Sequence, residues 1–278
     1  MRKTLVVFFF ISGISMAGYF VLSKPNNRIK PLNPHQINKR CLPKAVKEEV
    51  TPSDFILFSK PIFPNDSLLL KHLLGKFDYK KDTYFSLVKI DYCTKTMYLQ
   101  KEVYQKFVEM HNAAKKENIT LLIVSGTRNF DEQKTIWEKK WDKYIKVKDS
   151  LSTVREIMLY SSMPTTSRHH WGTDIDINSV EPAYFNTKQG IKEYKWLVNN
   201  AHKFGFCQVY TDKSTSKRTG YEMEKWHWSY TPISSHYLKK YNELVNYKLV
   251  NGFKGSYFAP KIKSIENFVN GIDQSCHH

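Results

Sequence analysis

The sequence predicts an α+β domain with a mainly antiparallel sheet flanked by helices, on three observations. Segments with helical apolar spacing and short β-type runs follow one another in a mixed order, without the regular strand–helix alternation of a parallel sheet. The β-type runs, such as ITLLIVSG and FCQVY, are only five to eight residues long. In GTDIDIN, finally, carboxylates and isoleucines alternate with the period of two that belongs to a strand with two unlike faces.

The pattern becomes regular at Tyr98. Val103, Phe107, Met110 and Ala114 recur at helical spacing in LQKEVYQKFVEMHNAAKKEN, which predicts an amphipathic helix. ITLLIVSG follows as a buried strand. DEQKTIWEKKWDKYIKV sets Ile136, Trp137, Trp141, Tyr144 and Ile145 on one helical side, and STVREIMLY reads as a second, short helix. Beyond a His-rich stretch come a helical KQGIKEYKWLVNNAHKFG, a strand FCQVY, a polar loop TDKSTSKRTG, a strand around KWHWSY and a final helix near SSHYLKKYNELVN. One folded domain accounts for these elements, and no internal repeat is visible.

With 278 residues, 41% of them hydrophobic and 14% aromatic, the chain has enough apolar material for a substantial core. Its 43 Lys+Arg against 26 Asp+Glu give a formal charge of +17, which favours polyanionic surroundings. Nucleic acid is not the expected partner: there is no Cys/His finger spacing, no RNA-binding aromatic signature and no basic helix with heptads. Arg2 and Lys3 precede the apolar run TLVVFFFISGISMAGYFVL, the layout of an export segment, so residues 1–23 are expected to be a signal peptide or membrane anchor. Residues 24–55, rich in Pro, Asn and Lys without an apolar period, read as a linker. Residues 56–250 are then the folded domain and 251–278 a C-terminal tail. The expected location is the periplasm or cell envelope, with membrane contact only through the N-terminal segment and a monomeric state. Cys41, Cys93, Cys207 and Cys276 contain no C-x-x-C pair, so they suggest free thiols or up to two disulfides with three possible pairings rather than a zinc knuckle.

The stretch TSRHHWGTDIDIN, ending at Asn178, holds more ligand chemistry than a folding core requires. If it is a strand, Ile175 and Ile177 face the core, while Asp174 and Asp176 share the other face, which must be wet or hold a cation. Two like charges on one face repel, and a divalent metal turns that repulsion into a gain. His169 lies seven residues before Asp176 with Gly172 between, so a tight turn brings the imidazole back over the strand. Zinc in a hydrolase takes three protein ligands, and YEMEKWHWSY supplies a third in His227. Glu224 stands three residues before it as a candidate general base for a metal-activated water, with Glu222 as the fallback. In an unbroken strand Glu224 and His227 would face opposite ways, so a turn or bulge is expected between them.

These residues resemble a known family. S-x-H-x-x-G-x-x-x-D, present as Ser167, His169, Gly172 and Asp176, and E-x-x-H-W, present as Glu224, His227 and Trp228, look like the zinc D-alanyl-D-alanine carboxypeptidases of the VanY type. That group shares its active-site architecture with lysostaphin-type enzymes and the hedgehog signalling domain. SGTRNFDEQ adds the family's S-G-x-R-x-x-x-x-Q through Arg128 and Gln133. The resemblance runs from roughly Tyr98 to Tyr230. It implies a hedgehog-like peptidase fold in which His169, Asp176 and His227 bind zinc (Zn2+) and Glu224 is the catalytic base. Arg128 and Gln133 then hold or polarise the end of a peptidoglycan peptide, with Arg128 also suited to an oxyanion, and Ser167 lines the same pocket. Removal of terminal D-alanine is the implied reaction. Cutting of peptidoglycan cross-links, or a non-catalytic zinc-containing envelope-binding module, are the alternatives.

Two positions depart from the family. Asp174 stands where a small apolar residue is usual and is expected to support His169 or His170 or to change the pocket's charge. Trp171 replaces a smaller residue. His170 reads as a supporting or packing residue, Trp226 and Trp228 as core and pocket wall, and His35, His72, His111, His202 and His236 as ordinary surface or helix residues.

Overall fold

A computed structural model describes residues 65–277. The expected export segment and linker lie outside the described residues. The elements, in order, are α1 (Asp66–Leu73), β1 (Phe85–Leu87), β2 (Tyr98–Gln100), α2 (Lys101–Lys116), β3 (Ile123–Ser125), α3 (Phe130–Tyr144), α4 (Ser150–Ile157), β4 (Asp174–Ile177), α5 (Lys188–Asn200), β5 (Phe206–Gln208), α6 (Lys213–Ser216), β6 (His227–Tyr230) and α7 (Thr231–Leu244).

The expected α+β class is what forms. A four-stranded sheet in the order β3-β4-β6-β5 is antiparallel throughout, and β1 and β2 make a separate antiparallel pair. Helix α2 buries Val103, Phe107, Met110 and Ala114, the stripe read from the sequence. Helix α3 begins at a capping box in which the Asn129 side chain accepts from Glu132 N–H while the Glu132 carboxylate accepts from Asn129 N–H. It buries Trp137 and Trp141. Asp149 and Thr187 cap α4 and α5 by accepting from first-turn N–H groups, without the reciprocal bond, and Pro232 opens α7 where a missing N–H costs nothing.

Two expectations change. ITLLIVSG pairs in the sheet only over Ile123–Ser125, although Ile119 and Leu121 are buried. Asn178, in a left-handed conformation (φ 63°), occupies the neighbouring edge: its side chain accepts from Leu122 N–H at 2.7 Å and its own N–H donates to the Leu122 carbonyl. Residues 251–276 are not a tail, because Phe253, Ala259, Val269 and Ile272 join the core and Cys276 is disulfide-bonded to Cys207 beside β5. Cys93 is buried and has no disulfide partner among the described residues. His72 and His111 lie on helices α1 and α2, as one of the two readings had it, and both are buried. His72 Nε2 meets Asp82 at 3.0 Å under a stacked Phe77 ring, and His111 Nδ1 lies 2.7 Å from the Leu121 carbonyl, so both are polar fasteners inside the domain.

Candidate metal centre and active site

The sheet register builds most of the site. On β4 and β6, Asp176 pairs directly with His227, and such cross-strand partners hold their Cβ atoms about 4.5–5.5 Å apart. The third side chain arrives from a 3₁₀ turn, Arg168–Trp171, that stops at Gly172 with φ 70°. Gly172 N–H returns to the His169 carbonyl, and that carbonyl also accepts from Arg128 N–H at 3.2 Å, so the turn is tied to the end of β3. His169, Asp176 and His227 are all buried, and one ligand atom from each lies within 4.8 Å of the others. His169 Nε2 is 3.4 Å from Asp176 Oδ2, and His227 Nδ1 is 3.1 Å from Asp176 Oδ1. Ligands at zinc bond lengths of about 2.0–2.2 Å in a tetrahedron stand roughly 3.3–3.6 Å apart, so the spacing suits such an ion.

Proton accounting supports the same fit. His169 Nδ1 lies 2.9 Å from the Gly126 carbonyl, which only accepts, so Nδ1 carries the proton and Nε2 presents a lone pair. His227 Nε2 lies 2.9 Å from Asp174 Oδ2, which leaves His227 Nδ1 as a lone pair in the neutral ring. While His227 is neutral, the buried Asp176 Oδ1 has no hydrogen-bond partner among the described residues. Three acceptors therefore converge on one point, an arrangement that a cation satisfies. Burial opposes ionised Asp176, but His169 and His227 outweigh it and hold its carboxyl well below the usual carboxylate range. Burial likewise opposes a charged His227, yet its hydrogen bonds to Asp174 and Asp176 push it up to about 9. A proton and a divalent ion thus compete for one place.

Glu224 lies outside β6. Lys225 and Trp226 form a turn before the strand, as expected, with His227 N–H reaching back to the Glu224 carbonyl at 3.4 Å. The Glu224 side chain, 7% exposed, brings its carboxylate within 3.5 Å of His227 Nδ1. Burial raises it to about 8, helped by the charge of Asp176 and opposed by His227 and Arg128. Glu222 is not a second base: it is partly exposed and paired with Lys213 Nζ at 2.6 Å.

The triad and Glu224 open into a cavity of about 580 Å³, a size suited to a small ligand, whose wall includes Arg128, Gln133, Lys140, Tyr160, Tyr210 and Trp226. Arg128 has a buried Nε without a partner among the described residues, and burial lowers its pKa against the pull of Asp176 and Glu224. Gln133 spends its Nε2 on the Ser162 carbonyl at 2.7 Å and leaves Oε1 buried and unpartnered among the described residues. Ser167 is not part of the wall. Its buried Oγ has no partner among the described residues and its carbonyl holds His170 N–H, so it serves the entry to the 3₁₀ turn. His170 supports the wall from behind, with Nδ1 2.7 Å from the Arg128 carbonyl and Nε2 accepting from Thr165 N–H; burial drops its pKa to about 3.

Asp174 supports neither His169 nor His170, as the sequence suggested, but His227, and its face of β4 at that position is dry rather than wet. Trp171 is core, stacked on Tyr237 and fully buried. Arg168, Ser229, Tyr210, Lys140 and Tyr160 were not singled out in the sequence. The one available signal was Arg168 six residues before an otherwise unexplained Asp174.

Residues 96–233 match the family model described as VanY, D-alanyl-D-alanine carboxypeptidase. YodJ of Bacillus subtilis (strain 168) is 34% identical over 139 residues, 48% of this chain and 46% of that protein. A D-alanyl-D-alanine carboxypeptidase of Enterococcus faecalis (strain ATCC 700802 / V583) is 30% identical over 128 residues, 46% of each chain. The chain thus spans about half the length of these relatives. Among solved structures, a vancomycin-resistance D,D-pentapeptidase of the VanY type, crystallised with Zn(II), is 23% identical with a TM-score of 0.44, over 60% of this chain and 89% of that one. The LdcB LD-carboxypeptidase is 26% identical with a TM-score of 0.45, over 62% and 77%.

Proposed function

We propose that this chain, whose residues 96–233 form a VanY-family segment, is a zinc-dependent carboxypeptidase that removes terminal D-alanine from peptidoglycan stem peptides. The observation that carries the reading is the convergence of His169 Nε2, His227 Nδ1 and Asp176 beside a buried, weakly acidic Glu224 at an open cavity. The name of the Enterococcus relative supports the substrate class. When bound, zinc supplies Lewis-acid polarisation and water activation. The protein's own groups do the rest. Glu224 accepts the proton of the attacking water and returns it to the departing amine, a task its position suits, since its buried carboxyl comes within 3.5 Å of the His227 nitrogen that faces the ion site. Arg128 offers a fixed fork of donors to the substrate's terminal carboxylate or to the developing oxyanion, and Gln133 Oε1 accepts a substrate N–H.

The test is incubation of the purified protein, with and without a chelator, with muropeptides ending in D-Ala-D-Ala, muropeptides ending in a diamino acid followed by D-Ala, and cross-linked dimers. Chelator-sensitive release of D-alanine from a free stem peptide is expected. Cleavage of dimers alone would replace the carboxypeptidase reading with the cross-link endopeptidase, and no turnover of any substrate would remove the enzyme claim.

In the same reading the protein acts outside the cytoplasm as a monomer. Arg2, Lys3 and the apolar run behind them support export, as does the Cys207–Cys276 disulfide, a bond that persists in oxidising compartments. Cell fractionation and sedimentation check both points.

A further inference from the structure

We infer that Asp174, held in place by Arg168, is a positioning residue that fixes which nitrogen of His227 faces the metal and so tightens metal binding. The inference rests on the metal reading above and concerns two residues outside the triad.

Asp174 pairs with Ser229 across β4 and β6, one step along the same face from the Asp176–His227 pair, which makes it the diagonal neighbour of His227. It is fully buried and all its contacts are donors. Oδ2 accepts from His227 Nε2 at 2.9 Å and from Arg168 Nε at 2.8 Å, while Oδ1 accepts from Ser229 Oγ at 2.8 Å and Thr173 Oγ1 at 2.7 Å. Arg168 Nη2 also donates to Ser229 Oγ at 2.8 Å, and the guanidinium lies 4.7 Å over the Trp171 ring. A carboxylate buried this deeply needs a balancing charge to stay ionised, and Arg168, 2% exposed, provides it.

An ionised Asp174 can only accept, so it keeps the His227 proton on Nε2 and turns the Nδ1 lone pair toward Asp176 and Glu224. With no acceptor there, the tautomer with the proton on Nδ1 becomes accessible and puts hydrogen where the ion should sit. The two imidazoles are not equivalent: the outer nitrogen of His169 meets a neutral carbonyl, and that of His227 meets a charged carboxylate. The charged partner makes His227 the stronger donor of the two.

The experiment measures zinc affinity by competition with a chelating indicator on the full chain, and reads His227 in the zinc-loaded protein by long-range proton–nitrogen NMR. Asp174→Ala alone leaves a buried, unpaired guanidinium and endangers folding, so the informative variant is Arg168→Met with Asp174→Ala, compared with the conservative Asp174→Asn. The double variant is expected to unfold cooperatively, to bind zinc about 10–100-fold more weakly, and to lose the exchange-protected Nε2 proton of His227. Asp174→Asn, which keeps an acceptor, should lose less. A folded double variant that binds zinc within about twofold of the wild type, or a wild-type His227 that coordinates through Nε2, overturns the inference and leaves the metal reading standing. A wild type that takes up no zinc overturns both. The identity of the coordinating nitrogen is the readout that a purely structural loss would not move.

Discussion

Gly172 joins the turn that carries His169 to the strand that carries Asp176, and its substitution by alanine tests whether that turn sets the site. Its φ of 70° is left-handed, which costs a non-glycine residue about 1–2 kcal/mol. A Cβ there would also stand 2.3 Å from Phe85 Cε1, 2.9 Å from Phe85 Cζ and 3.1 Å from Thr127 Oγ1. Phe85 is buried, so relief requires moving a packed ring or the turn itself, an overpacking cost of about 1–3 kcal/mol. Gly172→Ala should therefore destabilise the metal-free protein by about 2–5 kcal/mol. It should also weaken zinc uptake, because His169 and Asp176 lie three and four residues to either side. Gly252→Ala is the control. Its φ is 88°, but a Cβ would meet nothing nearer than Phe130 Cζ at 3.3 Å, so about 1–2 kcal/mol is expected without an effect on zinc. Urea denaturation measures the stabilities and indicator competition the zinc affinity. A Gly172→Ala protein no less stable than Gly252→Ala, with unchanged zinc affinity, would refute the claim that this turn sets the ligand geometry.

Three further outcomes are expected. Glu224→Ala should keep its zinc and lose about 10²–10⁴-fold in turnover, whereas Glu222→Ala, which removes only a partly exposed partner of Lys213, should leave turnover unchanged in the same muropeptide assay. Zinc uptake at pH 7 should release at least one proton. His227, raised to about 9 in the metal-free site, is charged at that pH and must give up its proton to bind, so apparent affinity should fall by about tenfold per pH unit below that value. Calorimetry in buffers of different ionisation enthalpy reads the proton directly, and a buffer-independent heat would contradict the assignment. Replacing Cys207 and Cys276 by serine should cost about 2–4 kcal/mol in urea midpoint experiments, since the bond closes a loop spanning 69 positions.

The period-two pattern of Asp174-Ile175-Asp176-Ile177 was enough to set the isoleucines in the core and both carboxylates on one face, because side chains on a strand alternate whatever surrounds them. The helical stripe of Val103, Phe107, Met110 and Ala114 was legible for a similar local reason. The positions of His169, Gly172, Asp176, Glu224 and His227 could be nominated because motif spacing is itself a property of the chain. What distinguishes two aspartates on one face was not legible. Asp176 meets His227 across the sheet while Asp174 meets Ser229, and only strand register decides that. Arg168 opens a 3₁₀ turn that carries no apolar period, and its burial against Asp174 depends on that turn folding back over β4. The same limit explains the C-terminal segment, whose irregular 3₁₀ and π turns carry no periodic signal yet pack Phe253, Val269 and Ile272 into the core. Sequence by itself determined the local periods, the candidate ligands and the turn between them, since these depend on near neighbours. Tertiary structure alone decided which donors and acceptors converge, because hydrogen bonds and ion pairs between positions 50 to 60 residues apart exist only once the sheet has set its register.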